Sequence, residues 1–153
     1  MAKKKTKFEA LNENLENLNK SKEYLQWSYN VCKKLDEDLS DKTDEYLAAY
    51  EALTARYGRT VDILVNSVLR TIDIVEYVEA GTVIDIINRA EKRGFVETAD
   101  ELRAMKDLRN DIVHTYDSNE YEENFDDVLK LTPVLFSVIE KVNVYIKTRF
   151  KIS

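Results

Sequence analysis

The sequence contains few of the residues that interrupt or cross-link a chain. Among its 153 residues are one cysteine, one proline and three glycines. A single cysteine excludes an internal disulfide framework and a thiolate metal cluster, and it favours a reduced, cytoplasmic location. The scarcity of glycine and proline argues against a loop-rich or all-β protein and predicts long helices. No apolar run approaches the roughly 18 residues of a membrane-spanning helix, so no membrane partner is expected.

The charge balance limits the function classes further. The chain has 29 acidic against 23 basic residues, a net charge of −6. Proteins that coat nucleic acid by counterion release are usually basic. A bulk nucleic-acid-binding protein is therefore disfavoured and DNA is not expected as a partner, whereas a local site acting on RNA is compatible with the charge. The length suits one domain, so we expect residues 1–153 to form one domain, with residues 1–7 as a disordered basic tail.

Apolar residues recur every three or four positions in five segments, which predicts five helices. The first two helices are long, with apolar seams over residues 8–39 and 46–75. Gly58 lies within the second seam, where it can kink the helix, and Gly81 is expected to end that helix.

A short third helix is predicted to begin at Thr82 and to stop before Gly94. Its apolar residues are Ile84, Ile87 and Ala90. The threonine is a favourable N-cap and the glycine a favourable C-terminal stop.

The last two helices have recognisable starts. Thr98 and Glu101 match a capping box for the fourth helix, which is expected to run to about residue 116. Asn119 is expected to cap the fifth helix, in which Pro133 predicts a kink or two segments meeting at Thr132. The predicted fold class is all-α, an up-and-down bundle of four to five helices.

Four polar side chains are predicted to gather at the end of the fourth helix. At about 100° per residue, Asn110 and His114 share a polar stripe, and Arg109 and Tyr116 lie on an adjacent flank. An imidazole can exchange a proton with a ribose 2′-hydroxyl or a leaving oxygen near neutral pH. A guanidinium can hold a phosphate and stabilise its developing charge, and Asn110 can orient the ring or the substrate.

The single histidine limits what one copy of the chain can do. One imidazole supplies one acid or one base, so a symmetric dimer would complete a phosphodiester-cleaving site. No Gly-rich phosphate loop and no paired histidine ligands occur, so neither a cofactor nor a metal is expected. The alternative is that these polar residues are ordinary helix-surface residues, with His114 favoured at a helix C-terminus by the helix dipole.

Residues 109–116, Arg-Asn-Asp-Ile-Val-His-Thr-Tyr, resemble the Arg-x4-His-x-Tyr signature of HEPN-domain proteins. Within that family, the resemblance is greatest to the HepT toxins and the related nucleotidyltransferase substrate-binding proteins. The predicted order of helices is also similar to the family: two long helices, the motif at the end of the fourth, and a last helix that contains proline.

The resemblance implies a HEPN-like bundle acting as a homodimeric, metal-independent endoribonuclease toxin. Arg109 and His114 would be catalytic and Asn110 would support them, with RNA as substrate. The implied partner is a minimal nucleotidyltransferase antitoxin that can silence the toxin by transferring AMP to the tyrosine matched here by Tyr116. A nucleotide phosphate on that phenol would fill the site and repel RNA. Some family members are described instead as non-catalytic subunits that present substrate to a nucleotidyltransferase, and that alternative stays open.

Overall fold

The computed structural model describes residues 4–38, 44–77, 81–114 and 118–151, without the side chains of 36–38 and 118–121. Within these ranges all regular secondary structure is helical, which confirms the all-α prediction. No described helix is both long enough and apolar enough to cross a lipid bilayer. The helices are α1 (Lys7–Asp38), α2 (Asp44–Asp62, continued by the π-helical Ile63–Leu69 and by Arg70–Val75), α3 (Val83–Lys92), α4 (Ala99–His114) and α5 (Ser118–Phe150).

The long helices α1 and α2 pack antiparallel through small polar side chains. Asn14 Nδ2 donates to Thr71 Oγ1 at 2.9 Å, and the hydroxyls of Ser21 and Thr60 are 2.7 Å apart. Ser21 lies on the buried side of α1 between leucines of the core. A small residue at that position allows the two helices to approach closely while its hydroxyl remains hydrogen-bonded.

Helix α5 lies antiparallel to α1 on the other side of the core. The side-chain amides of Asn19 and Asn143 exchange two hydrogen bonds of 2.9 and 2.8 Å. At the far end of the same pair, the rings of Phe8 and Phe150 meet edge to face at 6.2 Å. The three long helices therefore form the body of the bundle, and α3 and α4 pack onto it.

The π-helical part of α2 changes which residues face the core. Each i→i+5 turn takes one residue more than an α-helical turn, so the buried face widens by about one position. Val65 and Leu69 are buried in addition to the expected Leu64 and Val68. Beyond this segment a carboxylate, Asp73, is fully buried.

Asp73 forms the centre of an ionic network between α2 and α3. Its Oδ2 accepts from Arg89 Nη1 at 2.9 Å, and its Oδ1 from Arg93 Nη1 at 2.6 Å. Arg93 also donates through Nε to Glu76 Oε1 at 3.0 Å. Both oxygens of Asp73 are thus satisfied, as a buried carboxylate requires.

Glu76 extends this network to α5. The Tyr145 hydroxyl donates to its Oε1 at 2.7 Å and Arg149 Nε to its Oε2 at 2.9 Å. Burial raises the pKa of Glu76, but the Tyr145 hydrogen bond and the charges of Arg93 and Arg149 together outweigh burial, so its pKa is lowered.

The end of α2 and the role of Gly81 differ from the sequence prediction. α2 ends at Val75, and Tyr77 adopts a φ of 60°, so the prediction that Gly81 ends this helix is wrong. Gly81 instead precedes Thr82, the N-cap of α3, whose backbone N–H donates to Asp85 Oδ2 at 2.9 Å. A Cβ on Gly81 would collide with the Asp85 carboxylate.

The boundaries of α3 are confirmed, but its buried face is only partly so. Thr82 caps the helix, and Gly94 follows its end with a φ of +81°. Ile84 was expected in the core and is 61% exposed, whereas Ile86 is buried. These two isoleucines are about 200° apart around the helix, and the face with Ile87 packs inward.

The predicted starts of the first and fifth helices and the predicted capping box of the fourth also need correction, although the fourth helix itself begins at Ala99, directly after Thr98, as expected. Lys7 is already the first residue of α1, so the helix begins within the predicted tail 1–7, of which residues 1–3 lie outside the described ranges. The Glu101 carboxylate accepts from the backbone N–H of Glu97 at 3.1 Å, not from that of Thr98. α5 begins at Ser118, which puts the expected cap Asn119 inside the helix.

Helix α5 continues through Pro133 without a break. Two segments meeting at Thr132 are therefore not observed. Thr132 Oγ1 donates to the Val128 carbonyl at 2.6 Å, one turn earlier. α2 likewise continues through Gly58, and its irregular part begins five residues later at Ile63.

Candidate active site at the end of α4

Helix α4 presents the predicted site residues because its opposite side is buried. Leu102, Met105 and Leu108 pack into the core. Arg109 follows on the edge of that buried face and is half-buried, whereas Asn110 and His114 are exposed. The predicted division into a polar stripe and a flank is confirmed for these three residues.

Arg109 is held by two oxygen-bearing side chains. Its Nε lies 2.9 Å from Oδ1 and 3.0 Å from Oδ2 of Asp62 on α2, and the hydrogen bond is directed to Oδ2. Oδ1 of Asp62 is buried and paired by charge, without a hydrogen bond of its own. Arg109 Nη1 donates to Asn110 Oδ1 at 3.2 Å. The structure therefore brings Arg109 and Asn110 into contact, whereas the sequence led us to expect Asn110 to orient the His114 ring or the substrate.

Both members of the Arg109–Asp62 pair remain open to solvent. The side chain of Arg109 is 30% exposed and that of Asp62 is 32% exposed. A guanidinium carries five N–H donors, and only two of them are used within the described part of the chain. Three donors are thus available to a ligand on a guanidinium whose orientation is already set.

Two neighbouring residues of α2 shape the surface beneath Arg109. Gly58 has no side chain, and a Cβ built on it would lie 3.6 Å from Arg109 Cγ. Tyr57, fully buried, donates its hydroxyl hydrogen bond to the Met105 carbonyl of α4 at 3.0 Å. Burial is the main reason that the pKa of Tyr57 is raised, and the charge of Asp127 adds to it, so the phenol stays a neutral donor.

His114 occupies the last helical position of α4 and is exposed. Within the described ranges it makes no hydrogen bond or ion pair, and so none to Arg109 or Asn110. Tyr116, the fourth predicted site residue, lies in 115–117, outside the described residues. The predicted end of α4 at about residue 116 lies outside the described residues as well. Among the described residues, no group of three or more His, Cys, Asp or Glu side chains is arranged to hold a metal ion.

The sequence alone did not reveal Asp62, Tyr57 or Gly58 as neighbours of the site. Asp62 is 47 positions away from Arg109, and no local pattern connects them. The available signal was the isolated carboxylate of Asp62 between Val61 and Ile63, in an otherwise apolar stretch. A charge in such a stretch requires a partner.

Comparison with known proteins adds no relative: no protein-family model matches this chain, nor does any curated protein or solved structure. A functional assignment therefore depends on the motif at residues 109–116 and on the geometry around Arg109.

Proposed function

We propose that the protein is a metal-independent endoribonuclease of the HEPN type that acts as a homodimer. Arg109 and His114 are its catalytic residues, and Asn110 supports Arg109. In this proposal the protein is the toxin of a toxin–antitoxin pair. A minimal nucleotidyltransferase neutralises it, by transfer of AMP to Tyr116.

The observation that carries the proposal is the state of the Arg109 guanidinium. Asp62 and Asn110 fix its orientation, and three of its donors have no partner within the described chain. A preoriented guanidinium stabilises charge on a phosphate without reorganisation during the reaction. His114 follows five residues later on the same helix and is exposed, so its imidazole can reach a ribose hydroxyl or a leaving oxygen.

The dimer follows from the chemistry of strand cleavage. Attack by a 2′-hydroxyl needs a base, and departure of the 5′ oxygen needs an acid. The chain has one histidine, so a second copy is the simplest source of the second imidazole.

The test measures RNA cleavage by the purified protein, together with growth after its induced expression. Arg109→Lys keeps the charge but loses the two-pronged geometry, and His114→Gln removes the proton exchange. Each should reduce cleavage at least about 100-fold and restore growth. Lys106→Gln is a control on the same helix, removing a cation outside the motif. Wild-type cleavage in both motif variants would contradict the assignment of these residues.

A second candidate function is a non-catalytic subunit that docks on a nucleotidyltransferase. Two observations favour it: Asp62 offsets the charge of Arg109, and the whole chain is acidic, with a net charge of −6. This candidate predicts no RNA cleavage by the isolated protein. It also predicts a complex with the nucleotidyltransferase that forms equally well with His114→Ala.

The proposed modification has its own test. Incubation with the nucleotidyltransferase and ATP should increase the mass of the wild-type chain by one AMP and abolish cleavage. Tyr116→Phe should gain no mass and should stay active. Mass gain in Tyr116→Phe would assign the modification to another residue.

A further inference from the structure

A groove on the surface between α1 and α2 has an unusual composition for this acidic protein. It has a volume of about 260 Å³ and is lined by eight described residues, none of them acidic. Lys20 and Arg59 supply two cations, and Asn17 supplies a side-chain amide. Neither cation forms an ion pair within the described part of the chain. Such a local concentration of positive charge is the usual electrostatic mark of a nucleic-acid-binding surface.

Two exposed aromatic rings lie at one end of this groove. Tyr24, which lines it, is 50% exposed, and Trp27, one turn along α1, is 64% exposed. Arg56 of α2 lies against both rings, with its guanidinium carbon 5.7 Å from the Tyr24 centroid and 5.6 Å from the Trp27 centroid. Exposed rings beside cations are the arrangement on which single-stranded bases stack.

Arg56 is held in position beside the two rings. Arg56 Nη1 donates to Ser28 Oγ at 2.7 Å and to the Tyr24 carbonyl at 3.2 Å. These acceptors are neutral, so Arg56 keeps its charge uncompensated while its position is fixed. A guanidinium whose position is already fixed loses little conformational entropy when a ligand binds.

The groove is next to the candidate active site on the same helix. Arg59 lines the groove, and Asp62, one turn later on α2, holds Arg109. Residues three apart are neighbours on a helix surface, so Arg59 of the groove and Asp62, the partner of Arg109, are neighbours on α2. The larger cavity of about 650 Å³ is also lined by two arginines, Arg93 and Arg149. Both of them already bind Glu76, so neither is an unpaired cation like those of the groove.

We propose that the α1–α2 groove binds single-stranded RNA, with bases stacked on Tyr24 and Trp27 and phosphates paired with Lys20 and Arg59. This inference rests on the proposed function for its ligand class and adds the path of the substrate strand: from Arg109, across α2, into the groove. Asn17 offers its amide to base edges or 2′-hydroxyls along that path.

Trp27 is the only tryptophan of the chain and lies one helical turn from Tyr24 of the groove, so its fluorescence reports a ligand that stacks on these two rings. Titration of the full-length protein with a short single-stranded RNA of mixed sequence should quench this emission to saturation. The double variant Lys20→Gln/Arg59→Gln should weaken binding about tenfold. It should also reduce the slope of log K against log salt by about 1.4, or 0.7 for each lost phosphate contact.

The matched control is Lys33→Gln/Lys92→Gln, which removes the same total charge at two exposed positions outside the groove. Its affinity and salt slope should stay close to those of the wild type. Equal weakening in both double variants would overturn the inference, since bulk charge would then explain the binding. Emission that responds to protein concentration, but not to RNA, would also overturn it and assign the surface to a second copy of the chain.

Cleavage measured on the same samples separates this inference from the proposed function. Groove-dependent quenching without any cleavage would support the groove and refute the nuclease. Cleavage with an unchanged affinity in Lys20→Gln/Arg59→Gln would support the nuclease and refute the groove.

Discussion

Two arginine–carboxylate centres in this molecule have the same chemistry but differ in how much of their hydrogen-bonding capacity is used. Asp73 is fully buried, and each of its oxygens is bonded to a different arginine, Arg89 or Arg93. Arg109 and Asp62 are each about a third exposed, and Arg109 uses two of its five donors within the described chain. The first centre lies where α2 meets α3, and the second where α2 meets α4.

The difference indicates which centre can bind a ligand without losing existing bonds. A ligand that enters the Asp73 network must break an existing buried bond, and the buried charge left behind is costly. A ligand that approaches Arg109 gains hydrogen bonds from donors that were previously solvated. Full hydrogen bonding and burial therefore suit the Asp73 network for holding helices together, whereas the unused donors of Arg109 are compatible with the ligand-binding role proposed for it.

The largest expected effect is the loss of the buried charge. Asp73→Asn leaves two arginines facing a neutral amide and should lower the free energy of unfolding by about 3 kcal/mol. Denaturant titration followed by circular dichroism measures the change. Asp100→Asn, which removes the partner of Arg103 at the exposed start of α4, is the control and should have little effect. Similar losses in both variants would contradict the contrast between buried and exposed pairs.

A smaller effect is expected at the open centre, and on activity instead of stability. Asp62→Asn weakens the hold on the Arg109 guanidinium, because a neutral amide oxygen is a weaker acceptor than a carboxylate, while it removes a negative charge that repels RNA. Under the proposed function, kcat should fall about tenfold, or about 1.4 kcal/mol, without a rise in KM. Steady-state cleavage kinetics separate the two parameters. An unchanged kcat would show that Asp62 does not position the arginine.

The contribution of Glu76 to the stability of the Asp73 network should depend on pH. Its folded pKa is lowered, so its contribution to stability is present above the unfolded value, about 4.3, and is lost as pH falls through the folded value. The stability advantage of the wild type over Glu76→Gln should therefore shrink as the pH is lowered below about 5. Urea titrations at a series of pH values measure it. An advantage that is independent of pH would contradict the role of the charge.

The periodic features of the fold could be predicted from the sequence, because burial repeats with the helical turn. The seams of α1 and α2 and the start and end of α3 follow from local patterns. They are confirmed, except that Phe8 at the start of the α1 seam is 46% exposed and Leu39 at its end lies outside the described residues. The buried carboxylate Asp73 was not predicted, since the π-helical turns of residues 63–69 widen the buried face by about one position and no local sequence pattern indicates such turns. Ile84 was assigned to the wrong face because, in a short helix, one or two apolar residues do not define which face is buried.

The candidate site could be predicted only where its residues share one helix. Arg109, Asn110 and His114 follow each other on α4, so their spacing specifies their relative positions. Asp62 and Gly58 approach Arg109 through tertiary packing, and neither has a local signal that identifies its partner. The sequence thus predicted the residues proposed to react but not those that hold them.

The smallest expected effect concerns two glycines that differ in backbone conformation. Gly58 lies within helical α2, and an added Cβ would meet Arg109 Cγ at 3.6 Å, an ordinary contact. Gly58→Ala should therefore increase stability by about 0.5–1 kcal/mol through better helix propensity. The methyl group would also pack against the stem of Arg109, so cleavage should be retained. Thermal unfolding, with cleavage measured alongside, tests both statements.

Gly94 is the matched opposite, because its surroundings are open but its φ is +81°. An alanine there meets no neighbouring atom within 4 Å and still should cost about 1 kcal/mol, since an L-residue is strained in the left-handed region. Opposite signs for Gly58→Ala and Gly94→Ala would establish that backbone conformation, more than space, decides where this bundle needs glycine. A loss at Gly58 as large as that at Gly94 would instead mean that the surface under Arg109 does not tolerate a methyl group, and that the guanidinium depends on a close fit to α2.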